Sequence, residues 1–208
     1  MTATEADRPT MWIAEIRGQV VALDEAISAA VERTETPTLD RLLVRLSDAA
    51  NQSRLWLATA GVVAIVGGPR GRRAAAEAVV SIGLASAVSN LALKGLAPHR
   101  LRPESSNGQV LASRRVRRPT SSSFPSGHAA SAFAFASTMG EEMPLTWLPL
   151  HVAASLVAYA RIHTGVHYPS DVMTGSVIGA MSGWTVRRLA ARLAAGTRTA
   201  AASDVTVG

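Results

Sequence analysis

The sequence predicts an all-α, multi-pass membrane bundle of about five spanning helices, preceded by N-terminal amphipathic helices. Three observations carry that prediction. Five charge-poor runs, Leu55–Gly68, Ala74–Leu93, Phe124–Gly140, Pro144–Ala160 and Val172–Val186, are 14 to 20 residues long and separated by short charged or turn-rich pieces. These runs lack the polar stripe of a surface helix. Within the last of them Gly175, Gly179 and Gly183 recur every four residues, a small-residue ridge that lets two helix backbones approach closely. Several runs fall short of the roughly 20 residues a full span requires, so a water-soluble, Ala-rich bundle of buried helices is the alternative.

Taken in order, the first 53 residues contain no spanning run, because Asp24-Glu25 interrupts the apolar stretch from Val20 to Val31, and no cleavable signal pattern precedes it. After the Thr36-Pro37-Thr38 breaker, Leu39, Leu42, Leu43 and Leu46 repeat at helical spacing, with Asp40, Arg41 and Arg45 on other faces. That pattern predicts an amphipathic helix at the interface. The small, polar end from Ala194 predicts a loose tail. The expected organisation is therefore an N-terminal polar or amphipathic segment over 1–38, a single helical bundle over 39–193, and a flexible tail over 194–208.

Composition narrows the chemistry. At 48% hydrophobic and 17% charged the chain is too apolar for disorder, while Ala and Gly dilute its mean hydropathy to +0.18. The absence of Cys removes disulfides, thiolate metal sites and a cysteine nucleophile together. A net charge of +6 favours an anionic partner: nucleic acid, a membrane surface or a phosphorylated substrate. With only 4% aromatic residues, a base-stacking platform is disfavoured.

Polar residues concentrate in three places, from Lys94 to Pro103, from Ser121 to His128 and from Arg161 to Asp171. If the five runs span, parity puts all three on one side. Lys94, Arg102 and Arg161, with His128, His167 and Asp171, then converge at one membrane face, and cations at that density call for an anion such as phosphate. Ser126 is a favoured helix N-cap after Pro125, and Gly127 lets a ligand approach the free amides of a helix start. Ser170 can cap the last helix. Asp171 lies four residues beyond His167, where a carboxylate can fix one imidazole nitrogen and leave the other to attack phosphorus. His163, His167 and Asp171 at four-residue spacing also match a metal site on one helix face, but Gly165 and Pro169 interrupt that helix, so the expectation is no metal and no other cofactor.

At these residues the chain resembles the type 2 phosphatidic acid phosphatase superfamily, which also includes bacterial acid phosphatases, glucose-6-phosphatase and vanadium haloperoxidases. The family pattern is Lys-x6-Arg-Pro, Pro-Ser-Gly-His and Ser-Arg-x5-His-x3-Asp. The second motif is intact at Pro125–His128, and the third reads Ala160-Arg161, five residues, His167, three residues, Asp171. The first departs: seven residues separate Lys94 from Arg102-Pro103, leaving Arg100 as the rival ligand. Ala160 also replaces the family's Ser. Covering about Leu39 to Arg188, the resemblance points to the small bacterial membrane branch and its lipid phosphate or polyprenyl diphosphate substrates. It implies His167 as nucleophile through a phosphohistidine, Asp171 as its orienter and His128 as general acid. Lys94, Arg102, Ser126, Gly127 and Arg161 would hold the phosphate.

The rivals are a vanadate-dependent haloperoxidase on the same cage, a non-catalytic membrane protein on the same scaffold, and a basic nucleic-acid binder. The third is disfavoured because Arg100, Arg102, Arg114, Arg115, Arg117 and Arg118 lie in one loop between apolar runs. For orientation, the motif-free side carries seven Arg residues, against five Lys and Arg on the motif side once the three proposed phosphate ligands are removed. The positive-inside rule then leans toward a cell-membrane enzyme with its site on the extracytoplasmic face.

Overall fold

The computed structural model describes residues 8–93, 100–103, 112–116 and 121–205. Among them every regular element is helical: α1 (Arg8–Arg33), α2 (Pro37–Ala49), α3 (Arg54–Val66), α4 (Gly68–Ala87), α5 (Gly127–Glu142), α6 (Trp147–His163) and α7 (Pro169–Val205). A π-helical segment, Val88–Leu93, continues α4, and 3₁₀ turns lie at Asn51–Ser53, Ala112–Arg114 and Pro144–Thr146. Three starts follow from sequence: Pro37 sits in the first turn of α2, Ser126 caps α5, and Pro169 opens α7.

α5 is the central helix, packed against α4, α6 and α7. Its inward positions are mostly alanine: Ala129, Ala130, Ala132, Ala134 and Ala136 are fully buried, as are Ala74, Ala78 and Ala85 of α4. Apart from a few such as Trp56, Phe135 and Met139, many of the large apolar side chains point outward instead. Ile65 and Val66 of α3, Leu148 and Val152 of α6, and Met173, Val177, Met181 and Trp184 of α7 are all exposed. A small-residue interior wrapped in Leu, Val, Ile and Met is the arrangement expected where the surroundings are lipid and helices associate by close packing.

The glycine ridge decides how close α7 comes to α5. A Cβ at Gly175 would fall 2.3 Å from the Ser126 carbonyl oxygen, and one at Gly179 would fall 2.3 Å from that of Ala130. At Gly183 the nearest atoms are Ser137 Cβ and Thr138 Oγ1, both at 3.0 Å. Only hydrogen fits at the first two positions. At the end of α5 away from Ser126, Arg187 of α7 closes the bundle by bonding Glu77 of α4 and Glu142 of α5, each at 2.5 Å.

Two helices, Gly68–Leu91 and Pro144–His163, are long and apolar enough to cross a membrane. α3, with 13 residues, rises about 20 Å and α5, with 16, about 24 Å, both less than a hydrocarbon core of roughly 30 Å. α7 is 37 residues long and runs through Val205, so the loose tail expected from Ala194 is helical through that point. α2 forms where the leucine repeat predicts it, but its inward stripe is Asp40, Leu43 and Ser47, while Leu39 and Leu42 face out.

Gly179→Ala should therefore force α5 and α7 apart and destabilise the protein by about 1–3 kcal/mol, the usual cost of overpacking. Gly61→Ala, at a position with nothing within 4 Å, should not. Thermal unfolding of the two variants in the same detergent checks this.

Candidate active site

The three polar clusters meet at the Ser126 end of α5. Pro125 follows a cis Phe124–Pro125 bond, and Ser126, in extended conformation, accepts a bond from the Ala129 amide as N-cap. The Ser126 amide donates to the Asp171 carbonyl at 3.0 Å, which ties the start of α5 to the first turn of α7. This is the end at which Gly175 admits the Ser126 carbonyl. Gly127 and His128 form the first turn of α5, where amide N–H groups lack intrahelical partners.

His167 lies in the short connection between α6 and α7. Gly165, with φ of +63°, folds that connection back so that the amides of Val166 and His167 both donate to the Arg161 carbonyl at 3.1 Å. A left-handed residue at this bend favours glycine. The imidazole is buried, its Nδ1 3.7 Å from Asp171 Oδ2 and its Nε2 3.4 Å from Arg102 Nη1. Nδ1 is thus turned to the carboxylate and Nε2 to the guanidinium. At 3.7 Å the Asp171 contact is an electrostatic one that must shorten to become a hydrogen bond.

Burial, reinforced by the Arg161 and Arg102 cations and opposed by Asp171, pushes the His167 imidazole down to about 4. It is neutral near pH 7, as a nitrogen nucleophile must be. For Asp171 burial opposes ionisation. His167, the Tyr168 amide at 2.9 Å and Arg100 outweigh it and hold the carboxyl below its ordinary value.

Arg102 and Arg100 have separate occupations. Arg102 reaches His167, donates to the Val166 carbonyl at 2.8 Å, and holds the Ser121 carbonyl at 3.0 Å. Arg100 bonds Asp171 at 2.8 Å and Asp24 of α1 at 2.7 Å. Of the two, Arg102 faces His167 Nε2. Arg161, in the last turn of α6, is 1% exposed; its Nη1 meets Ser47 Oγ at 2.5 Å, and its Nε has no partner. No carboxylate forms a salt bridge with it among the described residues, whereas Arg100, Arg114 and Arg187 each have at least one. Lys94 lies outside the described residues.

His128 Nε2 is 2.9 Å from Asn51 Oδ1, and Asn51 Nδ2 in turn reaches Asp48 at 3.4 Å. Asn51 opens a tight turn in which Gln52 and Ser53 both have positive φ, 53° and 58°. His163 does not join His167 and Asp171. Its Nε2 meets Asp40 at 2.7 Å, in a buried cluster with Arg114, Ser113 and Thr36, and no group of three His, Asp or Glu side chains converges among the described residues. Sequence reasoning missed Asp24, Ser47 and Asn51, all N-terminal to the first motif. The one available signal was Asp24, a charge inside an otherwise apolar stretch.

A model of the PAP2 superfamily matches residues 74–194, which include His128, His167, Asp171 and both site arginines. The chain belongs to the PAP2 superfamily. It is 36% identical, over 80% of its own length and 88% of the relative's, to a decaprenylphosphoryl-5-phosphoribose phosphatase of Mycobacterium tuberculosis. A lipid A 4'-phosphatase of Bacteroides thetaiotaomicron is 35% identical over 74 residues, 35% of this chain and 33% of that protein. The fold is similar to the crystal structure of a transmembrane PAP2-type phosphatidylglycerolphosphate phosphatase from Bacillus subtilis, with a TM-score of 0.65, 21% identity, and coverage of 84% of this chain and 87% of that one. This PAP2 chain thus shares its family and its fold with phosphatases.

In the folded PAP2 chain the His167 imidazole should titrate with a midpoint near 4, against an ordinary value of 6.5. Unfolded chain takes up the proton first as pH falls, so stability contributed by this group is complete above 6.5 and declines as pH drops toward 4. Histidine ¹⁵N NMR in micelles, assigned with His167→Gln, reads the midpoint directly. A midpoint at or above 6 would contradict the buried geometry.

Proposed function

We propose that the chain hydrolyses a phosphate monoester or diphosphate carried on a lipid, most directly a polyprenyl-linked one, through a phosphohistidine on His167. The observation that carries the proposal is the Arg161 guanidinium, buried beside His167 with no carboxylate in salt-bridge contact among the described residues and with Nε unpartnered. A buried cation left without an anion is costly unless a ligand supplies one. With Arg102 on the other flank of His167, that ligand is a phosphoryl group. The polyprenyl preference is supported by the length of the match to a phosphatase whose substrate is a decaprenyl lipid.

In the first step His167 Nε2 attacks phosphorus while Asp171 faces Nδ1–H and stabilises the imidazolium that forms. Arg102, Arg161, the Ser126 hydroxyl and the Gly127 amide hold the equatorial oxygens, and Lys94 is assigned the same task from outside the described residues. Negative charge on those oxygens is met by donors already in place. His128 delivers a proton to the departing oxygen as the P–O bond breaks, then takes one from the water that attacks phosphorus and releases His167. Asn51 supports this role by holding the His128 ring at the site.

The remaining architecture is proposed on the same basis. About five helical elements cross or enter the bilayer, with residues 39–193 as the catalytic bundle, residues 1–38 and 194–208 flanking it, and the site at the extracytoplasmic face of the cell membrane. The supporting contacts place Arg70, Arg73 and Arg187 around Glu142, at the other end of α5 from Ser126.

Purified protein in detergent should release inorganic phosphate from a panel of polyprenyl phosphosugar phosphates, polyprenyl diphosphates and phosphatidate. If none is hydrolysed by folded protein, the proposal fails. Chelators should leave the rate unchanged, because His163 is engaged by Asp40 instead of completing a metal cage, and vanadate should compete with substrate.

The two histidines should separate by leaving group. His128→Ala should slow a lipid phosphate by roughly a hundred- to ten-thousand-fold yet still form phosphoenzyme from p-nitrophenyl phosphate, whose leaving group needs no proton. His167→Ala should form none from any substrate. Trapping acid-labile phosphoprotein distinguishes the two, and the reverse pattern would exchange their roles.

A further inference from the structure

Asp24 is the one fully buried acidic residue of α1, a helix whose Met11, Trp12, Ile13 and Leu23 are exposed. Its carboxylate accepts from the Ser170 amide at 2.9 Å, from the Ser170 hydroxyl at 2.5 Å and from Arg100 Nη2 at 2.7 Å. The other arm of the same guanidinium, Nη1, donates to Asp171 Oδ1 and to Ser170 Oγ, each at 2.8 Å. Its plane is steadied from below by the Tyr168 ring, with Cζ 4.3 Å from the centroid. The Tyr168 amide takes the second Asp171 oxygen, the one that looks toward His167 Nδ1.

Both oxygens of Asp171 are thus tied down, Oδ1 by Arg100 and Oδ2 by the Tyr168 amide. A rigid two-armed donor suits this task in a way an ammonium does not, because each arm serves a different carboxylate at a fixed separation. We propose that Asp24 and Arg100 are positioning residues for phosphoryl transfer, a carboxylate–guanidinium bridge through which α1 sets the orientation of Asp171 and so of His167. The proposal rests on the roles given above to His167 and Asp171. It also removes Arg100 from the phosphate cage, since both arms are spent on carboxylates. Small misplacement of a nucleophile is expensive: on the order of 1 Å is enough to cost about a hundredfold in rate.

The charges around this pair set the signs. Asp171 is faced by Arg100, His167 and the Tyr168 amide. His167 is faced by Asp171 of α7, Arg161 of α6 and Arg102 of the loop, and Asp24 by Arg100 and Ser170, with Glu25 acting on the nearby Tyr168. Removing Arg100 leaves the Asp171 charge uncompensated, which favours protonated His167. Removing the Asp24 charge leaves Arg100 to Asp171 alone, which favours neutral His167. General loosening of the fold would not move one midpoint up and leave the other down.

The test compares Arg100→Gln, Arg100→Lys and Asp24→Asn with the unmodified protein in detergent. Arg100→Gln should lower kcat by about tenfold to a hundredfold with KM nearly constant. It should also raise the His167 midpoint, and the acidic limb of phosphoenzyme formation, by about one pH unit. Arg100→Lys, which keeps the charge and loses the fork, should restore the midpoint but not kcat. Asp24→Asn, nearly isosteric and so the safer variant to fold, should lower kcat without raising the midpoint. A large KM increase with kcat intact in Arg100→Gln would make Arg100 a phosphate ligand and overturn the proposal. An unchanged kcat together with an unchanged midpoint would overturn it as well. The midpoint is read by NMR with no substrate present, so the bridge can be judged even if the unmodified protein forms no phosphohistidine, an outcome that would count against the proposed function instead.

Discussion

Close contact between α5 and α7 is the constraint on which the rest of the site depends. The Ser126 amide reaches the Asp171 carbonyl only because Gly175, one turn further along α7, presents no Cβ to the Ser126 carbonyl oxygen. That single approach joins the Pro-Ser-Gly-His turn to the helix start that carries Asp171. His167 is then delivered from the other side by the Gly165 bend, anchored on the Arg161 carbonyl. Neither histidine is placed by a long-range side-chain contact alone. Backbone geometry at two glycines does most of the placing, and the charged side chains refine it.

The parts of this arrangement that were legible in the sequence are those that local chemistry dictates. Ser126 as N-cap and the glycine ridge on the last apolar run follow from residue type and spacing, whereas the convergence of His167, Arg102, Arg161 and Asp171 was expected from the parity of the apolar runs and from the family motifs. What could not be read is where a polar side chain finds a partner from a distant segment. Asp24 looked like an interruption of an apolar stretch, and it is a buried hub between α1 and the start of α7. Spacing left Arg100 and Arg102 as rivals, each one residue off the register of the family motif, and only the folded loop separates their targets. Likewise the loss of a Ser at position 160 gave no hint that Ser47 of α2 places a hydroxyl on Arg161.

Membrane character was legible in a similar, partial way. The apolar runs correspond to helices, yet two of them, α3 and α5, are shorter than the hydrocarbon thickness, and run length alone could not tell an interior helix from a crossing one. In the structure α5 is alanine-rich and central, whereas α3, α6 and α7 leave many of their larger side chains exposed. A related pattern marks α2, where Leu39 and Leu42 face out while Asp40 and Ser47 face in beside Leu43 to serve the His163 and Arg161 side chains.

An interior built of alanine has an entropic consequence. Alanine has no side-chain rotamers to lose, so ordering α4 and α5 against each other freezes backbone and little else. The conformational cost of the folded state is concentrated in the few long side chains that are fully buried, among them Trp56, Phe135, Met139 and Arg161. One of those four is Arg161, the cation whose charge acts on His167. Much of the bundle is therefore assembled from parts with nothing to choose between, and side-chain order is spent at a few positions, Arg161 among them.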